Sequence, residues 1–233
     1  LRELAPELVV VAAYGRILPD DILALPPMGC INVHSSLLPK YRGAAPINWA
    51  VIRGEKETGV TIMYMAGELD AGDIIAQETT HIDPEETVEN VHDRLADLGG
   101  RLLVQTVAEL AAGTARRIPQ DHSQATLAPM LSRELSPIDW SRSGWDIHNQ
   151  IRGLVPWPAT STDIFSAEPV KVFKSTLLDQ GTDKQPGTVV AAGKEGIDVA
   201  CGDGRLLRIL ELQAPGGKRM SAASYLAGHP IHL

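Results

Sequence analysis

The sequence predicts an α/β unit followed by a small all-β unit, and three patterns carry that expectation. Apolar strand-like runs alternate with helical stretches up to residue 113. An aperiodic segment containing Pro119 and Pro129 covers 114–132. Short alternating segments divided by glycine-rich turns then fill 133–233. We therefore expect domains at 1–113 and 133–233 joined by a linker at 114–132, with a small β-barrel as the second.

The elements follow in order. Leu8 to Ala13 is a continuous apolar run, the pattern of a strand buried on both faces of a parallel sheet. Pro19-Asp20-Asp21 opens a short helix with an acidic first turn that suits the helix dipole. Cys30–His34 reads as a strand, Ala45–Arg53 as a helix and Gly59–Met65 as a third strand, so crossover helices and a parallel sheet are expected. Asp83-Pro84-Glu85-Glu86 has the residues of a helix start: an Asp cap, Pro at the first position and Glu at the third. Val88, Val91, Leu95, Leu98 and Leu102 continue as one apolar stripe, and Gly113 closes the helix. Gly99-Gly100 in its middle signals either a kink or a close helix-to-sheet contact. In the second domain, Trp145–Leu154 is a helix. Ala159–Phe165, Val170–Leu177, Thr188–Ala191, Gly196–Ala200 and Leu206–Gln213 are strands.

Composition bounds the function. The longest apolar stretch is too short to span a bilayer, and no basic segment precedes it to make a secretory signal. Cys30 and Cys201 lie far apart without metal-ligand spacing, which fits two free thiols in a reducing, cytoplasmic setting. The seven histidines show no metal-binding pattern, and no bound metal is expected. The net charge of −8 is uneven: residues 1–113 carry 8 Lys and Arg against 17 Asp and Glu, and residues 114–233 carry 13 against 12. A balanced second domain can present a basic face, but composition alone does not show that it does.

The densest constellation runs Asn32-Val33-His34-Ser35-Ser36-Leu37-Leu38-Pro39, then Arg42-Gly43-Ala44-Ala45-Pro46, then Leu69-Asp70-Ala71-Gly72-Asp73. Strand alternation places Asn32 and His34 on one face at a strand end, where open α/β sheets hold ligands. Asp70 follows the next strand and can reach the same crevice. An amide and an imidazolium can both donate to an oxygen that becomes negative during acyl transfer. A nearby carboxylate can orient the imidazole and take a proton from an attacking amine. Neither Ser35 nor Ser36 sits in a nucleophile elbow, so direct transfer suits the trio better than covalent hydrolysis. On spacing alone, a structural Asn-x-His pair making turn bonds competes with this reading.

These blocks, in this order and spacing, closely resemble the signature of the 10-formyltetrahydrofolate-dependent formyltransferases. The resemblance implies a Rossmann-like catalytic domain, with Asn32, His34 and Asp70 as catalytic residues and Ser36, Leu37, Leu38 and Pro39 contacting the folate co-substrate. Glu68 departs from relatives that carry Gly at that position, a loop variation that leaves the trio intact. Ile138-Asp139-Trp140, Arg152–Pro158, Pro169–Lys174 and Leu212–Ser221 resemble the C-terminal, OB-fold-like domain of the branch that formylates methionyl-tRNA. The resemblance thus implies initiator methionyl-tRNA as partner, a monomer in the cytoplasm, and a place in translation initiation. An amino-sugar nucleotide formyltransferase and a non-catalytic RNA-binding module stand as alternatives.

Lys218 and Arg219, after a Gly-rich turn, are candidates to meet phosphate. Lys171 and Lys174, three apart on a strand, should project to opposite faces, and so should Arg205 and Arg208. Trp140, Trp145 and Trp157 are either base-stacking surfaces or packing anchors. The chain starts at Leu1 and enters a strand within a few residues, so an N-terminal part of the first domain is expected to be missing. The resemblance implies that this part holds earlier strands, a Gly-rich loop and a basic loop approaching the acceptor stem. The chain alone is therefore expected not to be a competent enzyme.

Overall fold

Cys30–His34 (β2) and Glu57–Tyr64 (β3) form the middle of a four-stranded sheet in the computed structural model, flanked by Val9–Ala12 (β1) and Ile74–His81 (β4) in the order β1-β2-β3-β4. The structure describes residues 1–231 and divides into two units. The first unit comprises Leu1–Ala50, Lys56–Ile82 and Asn90–Met130. Its helices are Asp20–Leu23 (α1), Pro46–Ile52 (α2) and Val88–Ala111 (α3), whose end residues at 51–52 and 88–89 count with the second unit.

The sheet is mixed rather than wholly parallel. β1 pairs parallel to β2, with Val9 opposite Cys30, whereas β2–β3 and β3–β4 are antiparallel. The expected crossover fails because α2 has only seven residues, about 10 Å of rise. The chain therefore re-enters the sheet at the end where β2 left it, and β3 runs back along β2. β4 carries no apolar signal beyond Ile74 and Ile75, since Gln77 to Thr80 are polar and mostly exposed. Within this chain β1 stands at the edge of the sheet, with alternating half-buried and exposed residues.

The stripe Val88, Val91, Leu95, Leu98 and Leu102 is buried as its spacing predicts. α3 is continuous through Gly99-Gly100, so the glycine pair marks a contact and not a kink. A Cβ on Gly99 would stand 3.1 Å from Val33 Cγ1, and Val33 lies between Asn32 and His34. Gly99 thus lets α3 press directly on the strand that carries the candidate chemistry. The helix ends with the Thr114 N–H donating to the Glu109 carbonyl, a left-handed C-cap.

The helix begins at Val88 and not at Asp83. Asp83–Glu86 does close the capping bond, with the Asp83 N–H donating to the Glu86 carboxylate at 2.9 Å. It forms only a turn, closed by the Glu86 N–H on the Asp83 carbonyl, and its carbonyls also accept from side chains far along the chain. The Arg152 guanidinium donates to the Asp83 and Glu86 carbonyls, and the His148 ring bonds the Pro84 carbonyl.

The second unit comprises Val51–Glu55, Asp83–Glu89 and the residues from Leu131 on. Gly144–Gly153 (α4) is capped by the Ser143 side chain, which accepts from the Asp146 N–H. Strands Thr160–Thr162 (β5), Val170–Gly181 (β6), Val189–Gly193 (β7), Gly196–Ala200 (β8) and Arg205–Gln213 (β9) follow, and then the short Met220–Ser221 (β10). They form an antiparallel sheet in the order β5-β6-β9-β8-β7, with β10 on β9. Ala222–Gly228 (α5), capped by Ser221, is the last helix among the described residues. Its core gathers Ile147, Ile151, Val172, Val199, Leu207, Ile209 and Leu212 from the helix and the inner sheet face.

One side-chain expectation changes here and another is decided. Lys171 and Lys174 are both exposed on one face, because the register slips at Phe173 and again before Ser175. A bulge residue reverses the parity that a regular strand would impose. Trp140 is a packing anchor whose indole N–H donates to Thr162 Oγ1, while Trp157 is half exposed.

Candidate active site

β2 delivers Asn32 and His34 to one face, with Asn32 half-buried and His34 buried. The loop that follows turns back on the strand end. His34 Nε2 lies 2.9 Å from the Tyr41 carbonyl, which can only accept, so Nε2 carries a proton. Nδ1 is left facing Asp70, 3.7 Å from Oδ2. The same Oδ2 accepts the Gly43 N–H at 2.8 Å. Residues 41–43 therefore hold the ring from one side and the carboxylate from the other.

Asp70 sits in the loop after β3 with φ of 47°, in the left-handed region that Asp tolerates better than most residues. The loop is drawn tight at Gly72, where a Cβ would stand 1.8 Å from the Tyr64 carbonyl oxygen. Only glycine fits so close to a backbone. Asn32 and Asp70 also line one small cavity of about 40 Å³, together with Arg16, Ile17 and Met63. The trio of the sequence is thus brought together, with Asn32 and Asp70 across the cavity and His34 against Asp70. A larger cavity of about 490 Å³ opens where β2 begins, among Cys30, Tyr64, Leu110 and Arg117. No trio member lines it, and we place the site by its chemistry rather than by volume.

The Ser36–Pro39 segment is stitched down by residues that sequence patterns do not mark. Thr61, fully buried on β3, donates to the Ser36 carbonyl at 2.6 Å and accepts the Leu38 N–H at 3.1 Å. Gln77 on β4 donates to the Leu38 carbonyl at 2.8 Å. Ser36 Oγ–H donates to the Lys40 carbonyl, and Leu38 packs with Met63 and Ile74. Leu37 and Pro39 remain half exposed.

A second set of unforeseen residues comes from 114–132, expected only as a linker. Residues up to Met130 count with the first unit, and Ile118 bridges Ile74 while Leu127 bridges Arg42. Gln120, 5% exposed, contacts both Arg42 and the Asp70 loop. Thr126 accepts the Tyr41 N–H through its hydroxyl. An aperiodic stretch gives no face to read, so nothing in the sequence distinguishes these residues from spacer. Among the described residues, no cluster of His, Cys, Asp and Glu is arranged to hold a metal ion.

Comparison with known proteins shows what the chain is similar to. The formyl transferase family model matches residues 1–107, and the formyl transferase C-terminal domain model matches residues 130–230. Methionyl-tRNA formyltransferase of Trichlorobacter lovleyi is 50% identical over 233 residues, covering 100% of this chain and 72% of that protein. The enzyme of the same name from Moorella thermoacetica is 52% identical over 231 residues, covering 99% and 74%. Among solved structures, HypX from Aquifex aeolicus in complex with tetrahydrofolic acid superposes with a TM-score of 0.73 at 19% identity, over 96% of this chain and 39% of that one. The sugar 3N-formyl transferase WlaRD gives 0.72 at 18% identity, over 90% and 75%. At such identities the structural likeness speaks to the fold alone.

Proposed function

The chain belongs to the methionyl-tRNA formyltransferases of the formyl transferase family, and on that premise we propose that Asn32, His34 and Asp70 carry its chemistry. The reaction moves the formyl group of 10-formyltetrahydrofolate to the α-amino group of methionyl-tRNA. The observation that supports the assignment best is the paired grip on His34 and Asp70. With Nε2 fixed on the Tyr41 carbonyl, Nδ1 is the nitrogen that faces the carboxylate across 3.7 Å. Nε2–H is taken by the Tyr41 carbonyl, and the Nδ1 edge, too far from Asp70 for a direct hydrogen bond, is left to meet a substrate oxygen.

The amine attacks the formyl carbon, and the bond from that carbon to N10 of the folate breaks. Negative charge gathers on the formyl oxygen, where the Asn32 amide and the Nδ1–H of His34 donate. Asp70 orients the ring and accepts the proton that the amine loses, directly or through water, while N10 gains one. Folate suits the place: Leu37 and Pro39 offer half-exposed apolar surface on the segment that follows the strand carrying Asn32 and His34. We assign Ser36–Pro39 to that contact, with Ser36 and Leu38 supporting it from below.

We also assign acceptor binding to the second unit and read its sheet as a barrel of the OB type. Lys171 and Lys174 share a face, and Lys218 is exposed on the turn before β10. Arg219 is held by Glu211 at 2.6 Å and lies over the Phe173 ring. Initiator methionyl-tRNA as acceptor makes the step part of translation initiation. Two buried free thiols, Cys201 pushed up to about 12 by its burial, suit a reducing cytoplasm.

The assay is formyl transfer by the gene product that contains this chain, with methionyl-tRNA and an amino-sugar nucleotide offered in parallel. Methionyl-tRNA is expected to be the formylated acceptor. Preference for the sugar nucleotide would overturn the acceptor, and transfer to neither would overturn the enzyme reading.

A further inference from the structure

Asp70 is held by more than its own loop. The Gln120 side-chain amide donates to the Asp70 carbonyl at 2.9 Å and to the Gly72 carbonyl at 2.7 Å. Its Oε1 accepts from Arg42 Nη2 at 2.6 Å and Nε at 3.2 Å. A guanidinium can only donate and a carbonyl can only accept. The amide therefore has one workable orientation, oxygen toward Arg42 and nitrogen toward the loop. Both side chains are more than nine-tenths buried, so water does not substitute readily for either contact.

The two carbonyls that Gln120 ties together flank Ala71 and belong to the turn that puts Asp70 in its left-handed conformation. Arg42 lies between Tyr41, whose carbonyl holds His34, and Gly43, whose N–H holds the Asp70 carboxylate. Its own backbone is paired to Thr126 and Ala128 at 2.8 and 2.7 Å. One segment, 118–128, thus grips the loops that carry both members of the pair.

We propose that Gln120, oriented by Arg42, is a positioning residue that sets the Asp70 carboxylate against His34. The inference rests on the reading of Asp70 as part of the catalytic trio. Gln120 touches no reacting atom in this scheme; it acts on the rate through the backbone of Asp70. Displacing a catalytic group by an ångström costs up to about a hundredfold in rate.

The test is a double-mutant cycle on the gene product that contains this chain, using Asp70→Asn with Gln120→Met, an apolar replacement of similar length, and with Gln120→Glu. Gln120→Glu keeps an acceptor for Arg42 but turns an oxygen toward the loop carbonyls. Single-turnover formylation rates are normalised to the folate-binding fraction, which removes any difference in how much of each variant folds. Gln120→Met and Gln120→Glu should each slow transfer by about ten- to a hundredfold with folate affinity unchanged. In the Asp70→Asn background either should add less than about twofold, because residues acting as a unit are not additive. Equal losses in both backgrounds, or a loss confined to folate affinity, would overturn the positioning role. Asp70→Asn at an unimpaired rate would instead overturn the reading of the trio, which the same cycle reports separately.

Discussion

The His148 ring is 2% exposed and satisfied as a neutral tautomer: Nε2–H donates to the Pro84 carbonyl at 3.0 Å, and Nδ1 accepts from the Ser175 hydroxyl at 3.0 Å. Burial pushes its pKa below the ordinary histidine range and outweighs the Pro84 carbonyl and Glu85, which favour the charged ring; Arg152 opposes it as well. Above about pH 6.5 the ring is neutral in folded and unfolded chains alike, and its contribution is fully present. As pH falls below that value the unfolded chain takes a proton that the fold resists, so stability is lost. His148→Gln, which can keep both partners, should flatten the decline in denaturation midpoint between pH 7 and 5. Parallel declines in the two proteins would show that His148 does not contribute to it. At Asn32, His34 and Asp70 the residue types can be read directly, since each lies in a motif whose spacing survives folding. Gln120 cannot be read this way: its role depends on two carbonyls roughly fifty positions earlier in the chain.

α3 carries a sharper contrast, between two adjacent glycines. A side chain on Gly99 meets Val33 Cγ1 at 3.1 Å, whereas Gly100 faces open space. Gly100→Ala should therefore stabilise the fold by up to about 1 kcal/mol through helix propensity. Gly99→Val should destabilise it by about 1–3 kcal/mol through overpacking, and should disturb formyl transfer because the displaced residue neighbours Asn32 and His34. Chemical denaturation of the two variants checks this, and equal effects at both positions would refute the contact. The same helix marks the limit of sequence reading. Its apolar stripe is legible because burial of one face imposes the period. Its start is not, because the Asp83 turn has the residues of a helix start yet precedes the helix, and its carbonyls also serve His148 and Arg152, more than sixty residues away. In β6, alternation sends Lys171 and Lys174 to opposite faces only if the strand is regular, and the slip at Phe173 breaks it. β4 is silent for a different reason: one exposed face and a polar middle leave no alternation to detect.

Charge divides the molecule as its motifs do. The acidic first half holds the trio and the Ser36–Pro39 segment, and the balanced second half holds the exposed lysines around β6 and β10. The second unit should therefore govern tRNA affinity with little effect on folate. Replacing Lys171, Lys174 and Lys218 together by Ala should weaken tRNA binding and lower its log–log salt slope by roughly 0.7–0.9 for each phosphate that is no longer neutralised. Arg219→Ala should change the slope less, because Glu211 already neutralises that charge. An unchanged slope in the triple variant would return these lysines to the solvated surface. In the proposed mechanism, everything turns on His34 meeting the developing charge. The most direct measurement is the single-turnover rate of formyl transfer from bound 10-formyltetrahydrofolate to methionyl-tRNA in His34→Ala, taken beside folate affinity. We predict a rate about a hundred- to a thousandfold below wild type with folate affinity within about twofold; a rate near wild type would contradict the assignment.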